Sequence, residues 1–291
     1  MTTLTQLITD TERQLSAAGV AFGHGTTNAR DEAAWLVLHA LGLPLDTDFS
    51  DPEGNQPVAP AGQAQAATLL KARIDTRQPL AYLIGQAWLQ GVPFYVDARA
   101  IVPRSLIAEL IPDGGIDPWL SERTSRVLDL CTGNGSLAVL AALAWPGVQV
   151  AAADLSADAL AVARINVERH GLQARITLIE SDGLAACPGP YELILCNPPY
   201  VNAASMAALP PEYRAEPALA LAGGADGMDF VRALLRDAPA RMAEGAVLVL
   251  EIGHERAHFE AAFPRLNPVW LDTSAGGDQV LLLTREDLPR R

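Results

Sequence analysis

The four residues Asn197-Pro198-Pro199-Tyr200 have the types and spacing for chemistry on a planar amino group. Both prolines have a fixed φ and no N–H, so the loop presents carbonyl acceptors. The Asn197 side chain and the Pro198 carbonyl can hold both hydrogens of an –NH₂ group, which favours a more tetrahedral nitrogen with its lone pair facing an electrophile. Tyr200 can stack on the same group. We predict Asn197, Pro198 and Tyr200 as catalytic and the whole loop as substrate-binding. The alternative is a proline-stiffened turn in which Asn197 is a local cap.

A second candidate site is the loop Asp129-Leu-Cys-Thr-Gly-Asn-Gly135, which joins a predicted strand to a predicted helix. Gly133 and Gly135 permit a tight turn and a close approach of the backbone to a ligand. Asp154 ends the next predicted strand, nineteen residues after Gly135. A carboxylate at that point can accept both hydroxyls of a ribose. The loop and Asp154 together therefore predict a site for a nucleoside-containing cofactor.

Two residues narrow down this cofactor. A dinucleotide site prefers a third glycine, but position 138 is Ala, which some such sites accept. Asp129 would repel a pyrophosphate, whereas it suits the cationic sulfonium and ammonium groups of S-adenosyl-L-methionine. We predict that compound as the cofactor, because its sulfonium methyl is an electrophile that requires no metal. The alternative is an ordinary glycine-rich turn with Asp129 as its cap.

Strands that alternate with helices are expected to position both loops. Almost continuously apolar strands in such an order predict an α/β fold with a doubly wound, mostly parallel sheet. Ligands of such sheets bind beyond the carboxyl ends of the strands, and both candidate loops follow strand ends. The predicted strands are Arg126–Leu130, Val148–Ala153, Ile176–Ile179, Leu193–Cys196, Val247–Leu250, Val269–Leu271 and Val280–Leu283.

The N-terminal part has a different pattern. The first 80 residues show helical spacing, with Thr2 or Thr3 and then Asn28 as caps. Short β-prone runs follow at 80–84, 87–89 and 93–96 and suggest a hairpin linker. Pro103-Arg104 is expected to open a helix that runs through Leu110. We predict a helical domain over residues 1–78, a hairpin linker over 79–102 and a catalytic domain over 103–291.

Composition restricts the partners and the compartment. The 291-residue chain is 49% hydrophobic with a net charge of −13, of which −4 falls up to Val102 and −9 beyond it. A protein that binds a phosphate backbone usually shows a basic face, so we expect a basic or neutral partner and no direct nucleic-acid binding. We see no membrane helix and no secretory signal. Three cysteines form no zinc or disulfide pattern, so a reducing cytoplasm fits best.

These motifs, in this order, resemble the class I (Rossmann-like) methyltransferases that act on exocyclic or amide nitrogen. Within them the chain is similar to the protein-(glutamine-N(5)) methyltransferases over nearly its whole length. The resemblance implies the class I methyltransferase fold and a glutamine side chain held by the loop that starts at Asn197. Further shared segments are Pro79-Leu-Ala-Tyr-Leu-Ile-Gly85, Pro103-Arg104, Glu216-Pro217 and Gly223-Gly224-Ala-Asp226-Gly227.

The resemblance also implies a set of cofactor contacts. The residue after Asp182 often packs on the adenine in this family, and here it is Gly183, which has no side chain for that contact. The implied cofactor-binding residues, together with Asp129 from the reasoning above, are Cys131, Thr132, Gly133, Asn134, Gly135, Asp154, Asp182, Gly183 and Asn197.

One departure indicates the substrate. Release-factor enzymes of this family continue Pro-Arg with a Pro-Glu/Asp-Thr-Glu stretch, whereas this chain reads Pro103-Arg104-Ser105-Leu106. The chain resembles the branch that methylates a glutamine of large-subunit ribosomal protein L-three. The resemblance lies in this Pro103–Leu106 stretch, in Cys131 and in Glu212-Tyr213-Arg214. The alternatives are a release-factor glutamine, the exocyclic amine of adenine in nucleic acid, or a cofactor-binding module without catalysis. The helical part is expected to select the protein substrate.

Overall fold

The computed structural model describes residues 1–49 and 53–289. The chain divides into two compact units, one of Met1–Ala87 with Leu209–Glu216 and one of Trp88–Ala208 with Pro217–Arg291. We call them the helical unit and the sheet unit. The division falls after Ala87, within the first strand of the hairpin. It assigns no separate unit to a linker, so the predicted borders at residues 78 and 102 stay predictions.

The helices of both units are numbered in chain order. They are α1 Leu4–Ala17, α2 Ala29–Leu41, α3 Pro60–Thr76, α4 Leu80–Ile84, α5 Ile107–Leu110, α6 Ser136–Ala144, α7 Ala157–Arg169, α8 Ala203–Ala208, α9 Pro211–Arg214, α10 Asp229–Asp237 and α11 Arg256–Ala262. The predicted caps are confirmed, because the Thr3 side chain accepts from the Gln6 N–H and the Asn28 side chain from the Asp31 N–H. No helix in the described ranges is both long and apolar enough to cross a membrane.

Two predicted elements of the middle segment were wrong. Residues 80–84 form α4 instead of a strand, between Pro79 at its start and a left-handed Gly85 (φ 67°) at its end. A five-residue apolar run has no periodicity that separates strand from helix, so the flanking Pro and Gly decide. The hairpin keeps only Ala87–Leu89 and Val92–Phe94, β1 and β2. The helix expected from Pro103 begins only at Ile107.

A cluster of buried charges holds the segment 209–216 in the helical unit. The Arg73 guanidinium is fully buried and lies 2.8 Å from a Glu32 carboxylate oxygen and 3.3 Å from one of Glu212. Arg77 lies 2.7 Å from the same Glu212 oxygen. Removing one partner of a buried ion pair leaves an uncompensated charge, which is strongly destabilising. The Glu212-Tyr213-Arg214 motif is therefore part of the framework of the helical unit.

The sheet unit contains a seven-stranded sheet in the order β5-β4-β3-β6-β7-β9-β8. Strands β3 to β7 run parallel, and β9 lies antiparallel to both β7 and β8. The predicted α/β fold with a mostly parallel sheet is thus confirmed. The strands are β3 Arg126–Leu130, β4 Gln149–Asp154, β5 Ile176–Glu180, β6 Tyr191–Cys196, β7 Met242–Glu251, β8 Val269–Thr273 and β9 Gly276–Thr284.

Both faces of the sheet are buried. One apolar cluster joins α5 and α6 to the sheet and includes Leu137, Val127 and Leu193. A second cluster on the other side joins α10 and α11 to it and includes Leu234 and Phe259. Covering both faces explains why the central strands are almost continuously apolar and leaves their carboxyl ends as the place for most polar side chains.

Candidate active site

Strand register brings the two candidate loops together. Leu130 on β3 is the register partner of Cys196 on β6 and of Ala153 on β4. The glycine loop starts one residue after Leu130 and the Asn-Pro-Pro-Tyr loop one residue after Cys196. The two loops therefore leave neighbouring strands at the same level, with Asp154 at the end of the strand on the other side of β3.

The glycine loop turns back on itself through three left-handed residues. Cys131, Gly133 and Gly135 have φ values of 61°, 56° and 83°. A Cβ added to Gly135 would lie 3.1 Å from the Ala163 Cβ and 3.3 Å from its Cα, because this turn packs directly on α7. Glycine at 135 thus suits the left-handed conformation and avoids a tight contact with α7. Cys131 adopts a conformation that is uncommon for a residue with a side chain, and no residue pattern predicted it.

Asp129 lies on β3, and its side chain points into the glycine loop. Its side chain is fully buried, and one oxygen accepts from the Thr132 hydroxyl at 2.5 Å and from the Ala138 N–H at 2.9 Å. Burial raises the pKa of Asp129 to about 7, against the smaller lowering effect of those hydrogen bonds. Within the described ranges the other oxygen, Oδ1, has no hydrogen-bond partner. Asp129 therefore ties the loop to the first turn of α6, and its charge would act on a ligand through space.

Asp154 ends β4 and faces the glycine loop. One carboxylate oxygen accepts from the Gly133 N–H at 2.8 Å and the other from the Ser156 N–H at 2.9 Å. Each oxygen of a carboxylate has two acceptor positions, so both oxygens can still accept from a ligand hydroxyl. Burial raises the pKa of Asp154 above its ordinary value. Directly after it, the Leu155 side chain is half exposed and offers an apolar surface that the sequence reasoning did not single out.

Asp182 and Gly183 line a cavity of about 520 Å³ on the α10 side of the sheet. Asp182 is exposed, and Gly183 has a φ of 51° with nothing within 4 Å of an added Cβ. The other lining residues are Leu130, Leu184, Ala185, Phe230, Ala233, Leu234, Arg236, Asp237, Ala240 and Arg241. Two predicted cofactor residues thus border a space large enough for part of a nucleoside.

The loop from Asn197 to Tyr200 is packed against glycines. A Cβ at Gly227 would lie 2.3 Å from the Tyr200 carbonyl oxygen, and one at Gly253 would lie 2.5 Å from the Tyr200 ring. The shared Gly223-Gly224-Ala-Asp226-Gly227 segment is therefore explained by close approach to the loop. The Asn197 side chain makes no hydrogen bond to any residue that the structure describes, and it is partly exposed. It is not acting as a local cap, and its carbonyl is available to a substrate.

Glu251, at the end of β7, is a residue whose role sequence reasoning missed. It is 3% exposed and accepts from the Ser105 hydroxyl at 2.6 Å, the Leu106 N–H at 2.9 Å and the Tyr200 hydroxyl at 3.2 Å. Burial raises the pKa of Glu251, and the hydrogen bonds oppose that shift. The only signal in the sequence is a carboxylate at a strand end on the ligand side.

The Cys131 and Cys196 thiols lie beside each other at the start of the two loops. A hydrogen bond to Cys196 is the largest cause of a raised pKa of Cys131, and burial adds to it. A thiol with a raised pKa is a poor nucleophile and is slow to oxidise. Both cysteines are free in this structure. Cys196 is buried and Cys131 is partly exposed, so the pair packs at the base of the two loops without being oxidised.

Comparison with known proteins identifies relatives over nearly the whole chain. The model of the methyltransferase small domain matches residues 117–209. The ribosomal protein uL3 glutamine methyltransferase of Bordetella pertussis is 57% identical over 98% of this chain and 96% of its own. The protein of the same name in Burkholderia pseudomallei is 50% identical over 99% of this chain and 96% of its own.

A likeness to a solved structure supports the fold alone. The catalytic domain of hMettl16, solved in complex with the MAT2A 3′UTR hairpin 6, superposes with a TM-score of 0.52 over 82% of this chain and 83% of its own, at 15% identity. The predicted methyltransferase fold and the predicted resemblance are both confirmed. With 57% and 50% identity over nearly its full length, the chain belongs to the family of ribosomal protein uL3 glutamine methyltransferases.

Proposed function

We propose that this enzyme transfers a methyl group from S-adenosyl-L-methionine to the side-chain amide nitrogen of a glutamine in ribosomal protein uL3. The observation that carries the proposal is the Asn197 side chain. It stands at the end of β6 without a hydrogen-bond partner among the described residues, one strand away from the glycine loop. An unpartnered amide at this place is suited to hold another amide.

The residues around the glycine loop fit the cofactor. Asp154 is a partly exposed residue whose carboxylate oxygens keep acceptor positions for a ribose diol, and Leu155 supplies an apolar surface for a base. Gly133 and Gly135 let the backbone approach the ligand. A cationic ligand would favour the ionised form of Asp129, which would then add negative charge behind the loop. When bound, S-adenosyl-L-methionine supplies the methyl group on an electrophilic sulfonium. We also place Cys131, Thr132, Asn134, Asp182 and Gly183 in this site.

The Asn-Pro-Pro-Tyr loop would make the amide nitrogen reactive. An amide nitrogen is a poor nucleophile because its lone pair is delocalised into the carbonyl group. The Asn197 side-chain carbonyl and the Pro198 carbonyl would accept its two hydrogens, and Tyr200 would lie against the amide plane. This arrangement would orient the lone pair towards the electrophilic methyl group. The N–C bond would form as the methyl–sulfur bond breaks to leave a neutral thioether, and one of the two held protons would pass to solvent. Pro199 keeps the loop extended and without a competing N–H.

The acidity of the chain is the basis for a proposal about the form of the substrate. Ribosomal proteins are basic because they neutralise RNA, and their basic surface is exposed before assembly. Assembled RNA would repel a chain that carries −13. We therefore propose that free uL3 or an early assembly intermediate in the cytoplasm is the substrate, selected by the helical unit. Salt should slow methylation of free uL3, since exposed charges are screened beyond about 10 Å at 0.1 M.

The test uses labelled cofactor and the whole enzyme with four separated targets: free uL3, intact large subunits from cells lacking the enzyme, release factors, and DNA or RNA. We expect label in free uL3, less in subunits, and a lower rate at higher salt. Label in release factors or in adenine, with none in uL3, would show that uL3 is not the substrate. Equal rates on free uL3 and subunits without a salt effect would contradict the electrostatic argument but leave the glutamine assignment standing.

A further inference from the structure

Glu251 connects two segments of the sheet unit that are far apart in sequence. Its Oε2 atom accepts from the Ser105 hydroxyl at 2.6 Å and from the Leu106 N–H at 2.9 Å. Its Oε1 atom accepts from the Tyr200 hydroxyl at 3.2 Å. A carboxylate that is 3% exposed is costly unless it is hydrogen-bonded, and here both oxygens are. The three donors therefore belong to one connected polar cluster.

The same cluster determines where the Tyr200 ring lies. The ring lies over Gly253, two residues after Glu251, where an added Cβ would be 2.5 Å from the ring atom Cε2 and 3.0 Å from Cζ. The Tyr200 main chain is packed against Gly227 and Gly223, whose added Cβ atoms would clash with its carbonyl oxygen and its Cα. The backbone of Tyr200 is thus fixed by packing, and the Glu251 carboxylate holds the far end of the side chain.

We propose that Glu251 is a positioning residue for the methyl transfer: it holds the Tyr200 hydroxyl, and through it the ring, in the orientation that lies against the glutamine amide. This inference rests on the proposed function, which places Tyr200 against that amide. Ser105 and Leu106 fix the carboxylate from the opposite side, so the segment after Pro103-Arg104 contributes to the orientation of Tyr200. The position of the carboxyl group matters here, and its charge does not.

Two substitutions of Glu251 distinguish the effect of the position of its carboxyl group from the effect of its charge. The Leu106 N–H can only donate, so Oε2 must remain an acceptor, whereas a tyrosine hydroxyl can donate or accept. Glutamine at 251 can present its carbonyl oxygen to Leu106 and Ser105 and donate from its NH₂ group to the Tyr200 oxygen. It therefore keeps the reach and loses the charge. Aspartate keeps the charge but is one methylene shorter, so it cannot span both sides at the observed distances.

The experiment compares Glu251→Gln, Glu251→Asp, Tyr200→Phe and the double variant Glu251→Asp/Tyr200→Phe in the full-length enzyme. Free uL3 is the substrate, and kcat, KM for uL3, cofactor affinity and melting temperature are measured for each. We expect Glu251→Gln to retain kcat within about threefold and Glu251→Asp to lower kcat at least about tenfold with little change in KM or cofactor affinity. Glu244→Asp, an exposed position on the same strand, is the matched control and should behave as wild type.

The double variant tests whether Glu251 acts through Tyr200. Residues that act as one unit are not additive, so the double variant should be no slower than Tyr200→Phe within about twofold. The inference is overturned if the kcat losses of the two single variants multiply in the double variant. It is also overturned if Glu251→Asp keeps the wild-type kcat, or if Glu251→Gln loses as much kcat as Glu251→Asp. If Glu251→Asp does not fold, Tyr200→Phe removes the same hydrogen bond from the other side, and a wild-type kcat there overturns the inference.

The experiments distinguish a failure of the inference about Glu251 from a failure of the proposed function. A wild-type enzyme that leaves uL3 unlabelled contradicts the proposed function itself. A wild-type enzyme that methylates uL3, with Glu251→Asp equally active, contradicts only the role assigned to Glu251.

Discussion

Leu130 and Cys196 are register partners on β3 and β6, and the residue after each of them begins one of the two candidate loops. The glycine loop and the Asn-Pro-Pro-Tyr loop are consequently adjacent by strand pairing alone, whatever the side chains of the loops do. The sheet thus sets the distance between the two sites, and the loop residues set the chemistry within each.

Replacing Asn197 with Ala should lower turnover about 100- to 1000-fold, comparable to the loss of one preorganised group in a transition state. Because this side chain has no hydrogen-bond partner among the residues that the structure describes, the melting temperature should stay unchanged. Cofactor affinity should remain within about tenfold. Single-turnover kinetics and calorimetry measure the two effects, and near-normal turnover would remove Asn197 from the mechanism.

Asp154→Ala should weaken cofactor binding about 10- to 100-fold, through the loss of charge-assisted hydrogen bonds of about 1.5–3 kcal/mol. The substitution also removes the acceptor of the Gly133 N–H in the glycine loop, and this loss should weaken cofactor binding further. Asp158→Ala, an exposed acidic position in the first turn of α7, is the matched control for net charge. Calorimetry that finds equal dissociation constants for the two variants would show that Asp154 does not contact the cofactor.

The buried Asp129 should make the stability of the cofactor-free enzyme depend on pH. Its pKa of about 7 in the folded state exceeds the ordinary value of 3.8, so the folded protein holds a proton that the unfolded chain has lost. The contribution of Asp129 to the free energy of unfolding is fully present below about pH 4 and is lost as the pH rises to about 7. Asp129→Asn mimics the protonated form and should raise the free energy of unfolding at pH 8, by at most roughly 4 kcal/mol.

Denaturant unfolding of the wild type and of Asp129→Asn at pH 5 and pH 8 measures this effect. The difference between the two proteins should be larger at pH 8 than at pH 5. A difference that is the same at both pH values would mean that Asp129 is ionised throughout that range in the folded protein.

Gly253→Ala should displace the Tyr200 ring, because the added Cβ would lie 2.5 Å from the ring atom Cε2. Gly245→Ala on the same chain segment is matched to it, since Gly245 has a similarly positive φ but nothing within 4 Å of an added Cβ. Both variants carry the backbone strain of about 1 kcal/mol that Ala suffers in this conformation. Only Gly253→Ala is expected to lower kcat, and equal rates in the two variants would show that the ring position is irrelevant.

The sequence was most informative where local chemistry is stereotyped. The Gly133 and Gly135 turn, the strand end at Asp154 and the meeting of two loops at one sheet edge all follow from residue type, spacing and the rules of parallel sheets. Features that depend on packing between distant segments were missed. The role of Glu251 requires Ser105 and Leu106 to approach it across 145 residues of chain.

The segment 209–216 illustrates the same limit. Its place in the helical unit depends on ion pairs of Glu212 with Arg73 and Arg77, which no local pattern reveals. The α4 helix was missed for a different reason, because five apolar residues carry too little periodicity to distinguish it from a strand. Asp129 was predicted as a cofactor-site residue, and the structure adds that one of its carboxylate oxygens accepts from the Thr132 hydroxyl and the Ala138 N–H.

Mass spectrometry of uL3 after incubation with the enzyme and S-adenosyl-L-methionine tests the central claim most directly. Free uL3 from cells lacking the enzyme is treated in parallel with wild-type enzyme and with Asn197→Ala, and its peptides are fragmented to locate any added methyl group. The account predicts one methyl group on the side-chain nitrogen of a glutamine with the wild type and almost none with Asn197→Ala. Unmodified glutamines in uL3 after treatment with active wild-type enzyme, or equal methylation by Asn197→Ala, would contradict it.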